Sequence, residues 1–244
     1  MNGNSQTPQP RRGRSGNPAD RENRRGEEDS QTPSHRASPA NLSQIRLQGS
    51  ARIIKDHCAD WNNFMERWDE LNDKGFQLAN KIINLKLHQE KQVQSTEALL
   101  AHDSGAESEK TKDEICYPEG LEDLCNKFAD VYTSLKHLAE KMHNITVHFE
   151  GVRRLEYHTS IDEDPEPLFD TWTVDRFCEI SEELEGMYSQ EIKLKESIVQ
   201  DIAHQMSRDV LMTYISLWHH QPYLEERNHL MLKSMLLETG WVDP

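Results

Sequence analysis

From residue 121 to residue 152 an apolar side chain recurs at alternating steps of three and four. Leu121, Leu124, Phe128, Val131, Leu135, Leu138, Met142, Ile145, Phe149 and Val152 form an unbroken set of a and d positions. The residues between them are mostly Glu, Asp, Lys, Asn, Thr and His. Such a helix has one apolar seam and otherwise solvated faces. It is not stable alone, and must lay its seam against other helices in this chain or another.

Two further stretches supply such helices. Over 50–93, Trp61, Phe64, Trp68, Leu71, Gly75, Leu78, Ile82 and Leu85 repeat the three-four spacing, and Ser50 is placed to cap the N-terminus. Each tryptophan needs a hydrogen-bond partner for its indole N–H once enclosed. Gly75 at a seam position marks a kink or a close helix crossing, because glycine costs about 1 kcal/mol against alanine inside a helix. Over 174–206, Phe177, Ile180, Leu184, Met187, Leu194 and Ile198 make a broader stripe interrupted by Glu191, preceded by Thr173 as a cap.

The connections differ in kind. Periodicity fails from 94 to 118, which reads as a flexible linker long enough to return the chain. Residues 158–172 begin as an acidic, proline-bearing loop and end in Leu168, Phe169 and Trp172, which read as a lid on the bundle end. After 207 the pattern shortens to a helical hairpin over 208–244. Asp209 caps a helix over 210–219, Pro222 opens a second, and Gly240 ends it. The fold class is therefore all-α. It is an elongated antiparallel three-helix coiled-coil bundle (two long helices within 50–157, the third within 173–207) with a C-terminal hairpin and an N-terminal tail.

Residues 1–49 are that tail, rich in Gln, Ser, Pro, Arg and Asn, and read as disordered. They carry eight Arg against five acids, whereas the whole chain has a net charge of −15. A basic arm thus precedes an acidic body, and that body would repel nucleic-acid phosphates. Thr7, Thr32 and Ser38 each precede proline and are candidate phosphorylation sites, and Ser5, Ser30 and Ser43 each precede glutamine. Hydrophobic content of 35% suits long helices rather than a thick core. No run approaches the roughly 20 apolar residues of a membrane span, and the polar N-terminus predicts no secretory signal. Cys58, Cys116, Cys125 and Cys178 lack CxxC spacing and read as reduced thiols of the cytosol or nucleus.

Few residues suggest chemistry. Glu140 with His143 and Glu226 with His229 share the Glu-x-x-His spacing of di-iron bundles, where ligands point into the core. With Leu138 at d and Met142 at a, Glu140 and His143 fall at f and b on the outer face. Metal-dependent catalysis is therefore the weakest reading, and no cofactor is expected. His219 and His220 are adjacent and face different ways on a helix, as a polar helix end does. Two candidate contact sites remain. Trp218, Pro222 and Tyr223 cluster aromatics at a helical corner and suit a partner interface. Arg153, Leu155 and Tyr157 fit an Arg-x-Leu-x-apolar cyclin-docking pattern, although at a predicted helix end.

Several blocks carry a family resemblance. They are Ala51-Arg52-Ile53-Ile54-Lys55-Asp56, Ala59-Asp60-Trp61, Trp68-Asp69-Glu70-Leu71-Asn72-Asp73 and Ala79-Asn80 in the first helix. Further on come Leu168-Phe169 with Thr171-Trp172, Ser216-Leu217-Trp218, His220-Gln221-Pro222-Tyr223 and Ser234-Met235-Leu236-Leu237-Glu238-Thr239-Gly240. In this order, over residues 51–240, the chain resembles the cyclin-dependent kinase 2-interacting protein family. The middle helix is the weakest part of the match, and the long Arg/Ser/Gln tail departs from the family.

The resemblance implies a nuclear, and also cytoplasmic, adaptor without catalysis of its own, acting in DNA replication and checkpoint signalling. Its implied partners are a cyclin-dependent kinase with its cyclin, an origin-firing kinase, a checkpoint kinase partner and subunits of a hexameric AAA+ ATPase assembly. That assembly is implied to act in replisome turnover and ribosome maturation. No catalytic or binding residues transfer with the resemblance. The alternative is a structural coiled-coil subunit of a tethering or cytoskeletal complex.

Overall fold

The structure is a computed structural model that describes residues 39–103, 118–159 and 167–242. The described residues form five helices and no strand: α1 (Pro39–Asp103), α2 (Leu121–Thr159), α3 (Val174–Asp201), α4 (Arg208–His220) and α5 (Asn228–Glu238). No helix among them is long and apolar enough to cross a membrane.

The seam of α2 is the spine of the core. Its ten positions are buried, except that Leu124 is half-buried. Cross-helix pairs fix the helix directions. Ser50 donates to Glu156 at 2.5 Å. His57 stacks on His148 at 4.9 Å, and the Lys141 ammonium lies 5.5 Å from the Phe64 ring centre. Residue numbers rise on α1 as they fall on α2, so the two run antiparallel. Tyr157 donates to Asp175, Thr146 meets Ser181, and His143 faces Glu185, which sets α3 antiparallel to α2. Trp61 donates its indole N–H to Ser181 Oγ at 3.2 Å, and Thr146 Oγ1 lies 2.8 Å from the same hydroxyl. One serine thus ties three helices, in an interior where an unpaired indole N–H is costly.

Helix ends depart from the sequence expectations for identifiable reasons. α1 begins eleven residues before Ser50 and runs ten past Val93. Apolar periodicity reports where a helix packs. It does not report where a nucleated helix stops, and residues 94–103 include the helix formers Gln94, Glu97, Ala98, Leu99 and Leu100. Ser50 therefore lies inside the helix and does not cap it. α3 ends at Asp201, five residues early, where Lys86 of α1 donates to the carbonyls of Ile202 and Ala203 at 3.1 and 2.6 Å. Those are orphan acceptors of the kind a helix C-terminus leaves. Thr173 stands at the N-cap position of α3 without a side-chain cap bond. Likewise α4 starts after Ser207, which puts Asp209 in the first turn, where its carboxylate favours the helix dipole.

The C-terminal helices pack on the same core. Leu211, Ile215 and Trp218 of α4, with Leu232, Met235 and Leu236 of α5, are buried with the α1 residues. Pro222 does not open α5. It lies in a turn after Gln221, and α5 starts six residues later. Gly240 ends α5 at φ 66°, with Gly240 N–H on Leu237 O and Trp241 N–H on Leu236 O, a Schellman arrangement. The Trp241 indole then reaches Lys55 O at 2.8 Å. Residues 168–172 close over the start of α3. Phe169 and Trp172 stand edge-on to Phe177 at 5.5 and 5.1 Å. Glu238 of α5 accepts from Thr171 N–H, Thr171 Oγ1 and Trp172 N–H at 2.5, 2.9 and 2.8 Å.

Candidate functional site

The densest polar chemistry in the interior lies where α1, α3 and α4 meet. Glu191 and Lys195, one helical turn apart on α3, are both fully buried and pair at 3.1 Å. Lys195 Nζ also donates to Asn72 Oδ1 at 2.7 Å and Trp218 O at 3.2 Å, and lies 4.3 Å from the centre of the Trp218 ring. The Trp218 indole N–H in turn donates to Asn72 O at 3.0 Å. Burial pushes the Lys195 ammonium down to about 8, against the opposing pull of Glu191. Burial pushes the Glu191 carboxyl up, opposed by Lys195 and by the Tyr223 N–H. Each charge is tolerable inside because the other is there.

From this node the chain builds an exposed corner. Gln221 caps α4 in the left-handed region at φ 45°, with its N–H on Leu217 O at 3.1 Å. Its side-chain oxygen accepts the Trp68 indole N–H at 2.7 Å. Tyr223 N–H donates to Glu191 Oε2 at 3.3 Å. These ties override the helix start that Pro222 would otherwise favour, and they leave Pro222 exposed and Tyr223 44% exposed. Tyr223 lines two shallow clefts along α3, of about 300 and 320 Å³.

Of the predicted contact residues, then, Pro222 and Tyr223 reach the surface. Trp218 is fully enclosed by this chain, between Phe128, Gly75 and Lys195. Arg153, Leu155 and Tyr157 lie on helical backbone in α2. There Arg153 pairs with Glu150 at 2.5 Å and Tyr157 donates to Asp175 at 2.8 Å, whereas a docking peptide of that pattern binds extended. Thr7, Thr32 and Ser38 lie outside the described residues. Glu140 and His143 are on the outer face as their heptad positions require, paired with His137 and Glu185. Glu226 and His229 are exposed as well. Among the described residues no group of three His, Cys, Asp or Glu side chains is placed to hold a metal ion.

Sequence reasoning missed Lys195, Asn72 and Gln221. A signal existed for the first: Glu191 and Lys195 stand at i and i+4 within an apolar stripe, where a surface pair is out of place. Asn72 and Gln221 lie in blocks that carry the family resemblance, 68–73 and 220–223, but their spacing does not mark either as an interior partner.

No family model matches the chain. Three relatives share most of it, each a cyclin-dependent kinase 2-interacting protein. The one from Bos taurus is 41% identical over 197 residues, which cover 80% of this chain and 91% of the relative. Those from Mus musculus and Homo sapiens are 39% and 38% identical over the same shares. With that identity along nearly the whole of each relative, the chain belongs to the cyclin-dependent kinase 2-interacting protein family.

Proposed function

We propose that the chain is a non-catalytic adaptor that binds a cyclin-dependent kinase together with its cyclin. One observation carries this reading: relatives named for interaction with cyclin-dependent kinase 2 match it over 91% of their length. The fold suits such a role. Its buried Glu191 and Lys195 are spent on each other and on neighbouring groups that hold an exposed turn, and its helices offer surfaces at their ends. In the fuller form of the proposal the adaptor is nuclear and acts in replication and checkpoint signalling. It links the cyclin-dependent kinase to an origin-firing kinase and a checkpoint kinase partner. It also joins a hexameric AAA+ ATPase assembly that acts in replisome turnover and ribosome maturation.

The test is affinity purification with mass spectrometry from dividing cells, paired with capture of recombinant cyclin–kinase complex by the purified chain. Enrichment of kinase or ATPase subunits over a tag-only control supports the reading. Stable self-association with neither set enriched would replace it with the structural coiled-coil alternative.

A further inference from the structure

A surface turn seldom needs interior charges to hold it, yet the turn after α4 has them. Buried Glu191 accepts the Tyr223 N–H, and Trp68 on α1 donates its indole N–H to the Gln221 side-chain oxygen. Gln221 itself is held at a positive φ that a residue other than glycine rarely adopts. What this support fixes is an exposed aromatic ring standing between two clefts on α3. Toward the N-terminus of α3 the cleft has Met187 and the bare backbone of Gly186, with Glu182, Glu183, Glu225 and Arg227 around it. A side chain at Gly186 would meet nothing within 4 Å, so the cleft is open there. Toward the C-terminus lie Gln190, Leu194 and Ser197, with Lys193 as the only charge lining that side among the described residues.

We propose that Tyr223 and these two clefts form a docking groove for an extended partner segment in which an apolar residue is flanked on one side by Arg or Lys. The apolar residue packs between the Tyr223 ring and Met187. An aromatic ring on a preorganised turn makes a strong anchor, because little conformational freedom is lost on binding. Charge chooses the flanking residues. Three carboxylates line the first cleft against one guanidinium, and Arg227 is already shared between Glu183 and Glu225. The excess negative charge is placed to receive a cation. Lys193 on the opposite side repels one, which sets the direction of the segment. The proposal deepens the adaptor reading and rests on it only for the partner's identity.

The test uses the full chain and fluorescein-labelled hexapeptides with Leu, Met or Phe at the third position. Arg or Lys fills the first two positions in one pool, and Glu fills them in the control pool. Fluorescence polarisation is expected to show binding of the basic pool and none of the acidic pool. Tyr223→Ala, and separately Glu182→Gln with Glu183→Gln, should each weaken that binding about tenfold. A control pair on α2, Glu122→Gln with Glu140→Gln, should leave it unchanged. Circular dichroism confirms that each variant is folded. No binding of the basic pool overturns the groove, and so does equal weakening by the α2 pair, which would show diffuse attraction to an acidic protein. If wild type fails to capture the cyclin–kinase complex while the Tyr223-dependent peptide binding holds, the adaptor reading falls and the groove stands. If capture succeeds and Tyr223→Ala leaves peptide binding undiminished, the groove falls alone.

Discussion

The indole of Trp218 occupies the space that a side chain on residue 75 would fill. A Cβ built on Gly75 would lie 2.7 Å from Trp218 Cε2 and 2.8 Å from Nε1. The ring cannot retreat, because its N–H is held by Asn72 O and Phe128 packs against it at 4.5 Å. The glycine on the α1 seam is there to admit α4, and the close helix crossing expected at this position is a crossing with this chain's own C-terminal region.

Gly75→Ala should therefore destabilise the protein. The helix gains about 1 kcal/mol from alanine, but overpacking a rigid core costs about 1–3 kcal/mol, and here the obstruction is a fully enclosed ring. A net loss of up to about 2 kcal/mol in urea unfolding is expected. Gly151→Ala on α2, where nothing lies within 4 Å of the added carbon, should instead gain about 0.5–1 kcal/mol. Equal effects at the two sites would show that Trp218 does not constrain residue 75.

Lys195 and Glu191 should behave as a pair. Lys195→Met leaves a buried carboxylate without its cation, and a loss of about 3–5 kcal/mol is expected. Combining it with Glu191→Leu removes both charges and should recover most of that loss, since a buried ion pair often adds little over apolar packing. The readout is a double-mutant cycle by chemical denaturation. Additive single-variant losses would count against the coupling.

Glu238 supplies a pH dependence with a definite sign. Partial burial raises its carboxyl, but the N–H groups of Thr171 and Trp172 and the Thr171 hydroxyl outweigh that, and the net shift is below the ordinary 4.5. The folded state thus binds the proton less readily than the unfolded chain. The stabilisation is present above pH 4.5 and is lost as pH falls through the lower folded value. Protection factors at residues 168–172, which discount the intrinsic slowing of amide exchange in acid, should therefore fall more steeply on acidification in wild type than in Glu238→Gln, which starts already loosened. Identical acid profiles for the two proteins would remove Glu238 as the cause.

Thiol chemistry should distinguish the described cysteines. Cys58 and Cys178 are buried, and burial pushes their thiols up, that of Cys178 to about 12. The thiolate is the reactive form, so a maleimide at neutral pH should label both only as fast as the fold opens. Cys125 is half-buried and should label first. Rapid modification of Cys58 in the folded protein would contradict its enclosure.

The seam of α2 was legible in full, since a helix of 3.6 residues per turn converts spacing directly into a buried face. The same rule placed Glu140 and His143 outside. The polarity of an enclosed indole N–H required partners for Trp61 and Trp68, and both have them. Helix ends were less legible, because Lys86 and Glu191 act on them from other parts of the chain.

The sequence by itself determined that the chain is helical, which faces are apolar, and which family its residues resemble. Only the tertiary structure decided that Trp218 is interior, that Gly75 makes room for it, and that Glu191 with Lys195 holds the corner carrying Tyr223. The partners concerned, Asn72 with Lys195 and Asn72 with Trp218, are 123 and 146 residues apart. Their attraction arises only after folding has excluded water between them. In the sequence a lysine or asparagine bound for the interior looks the same as one bound for solvent.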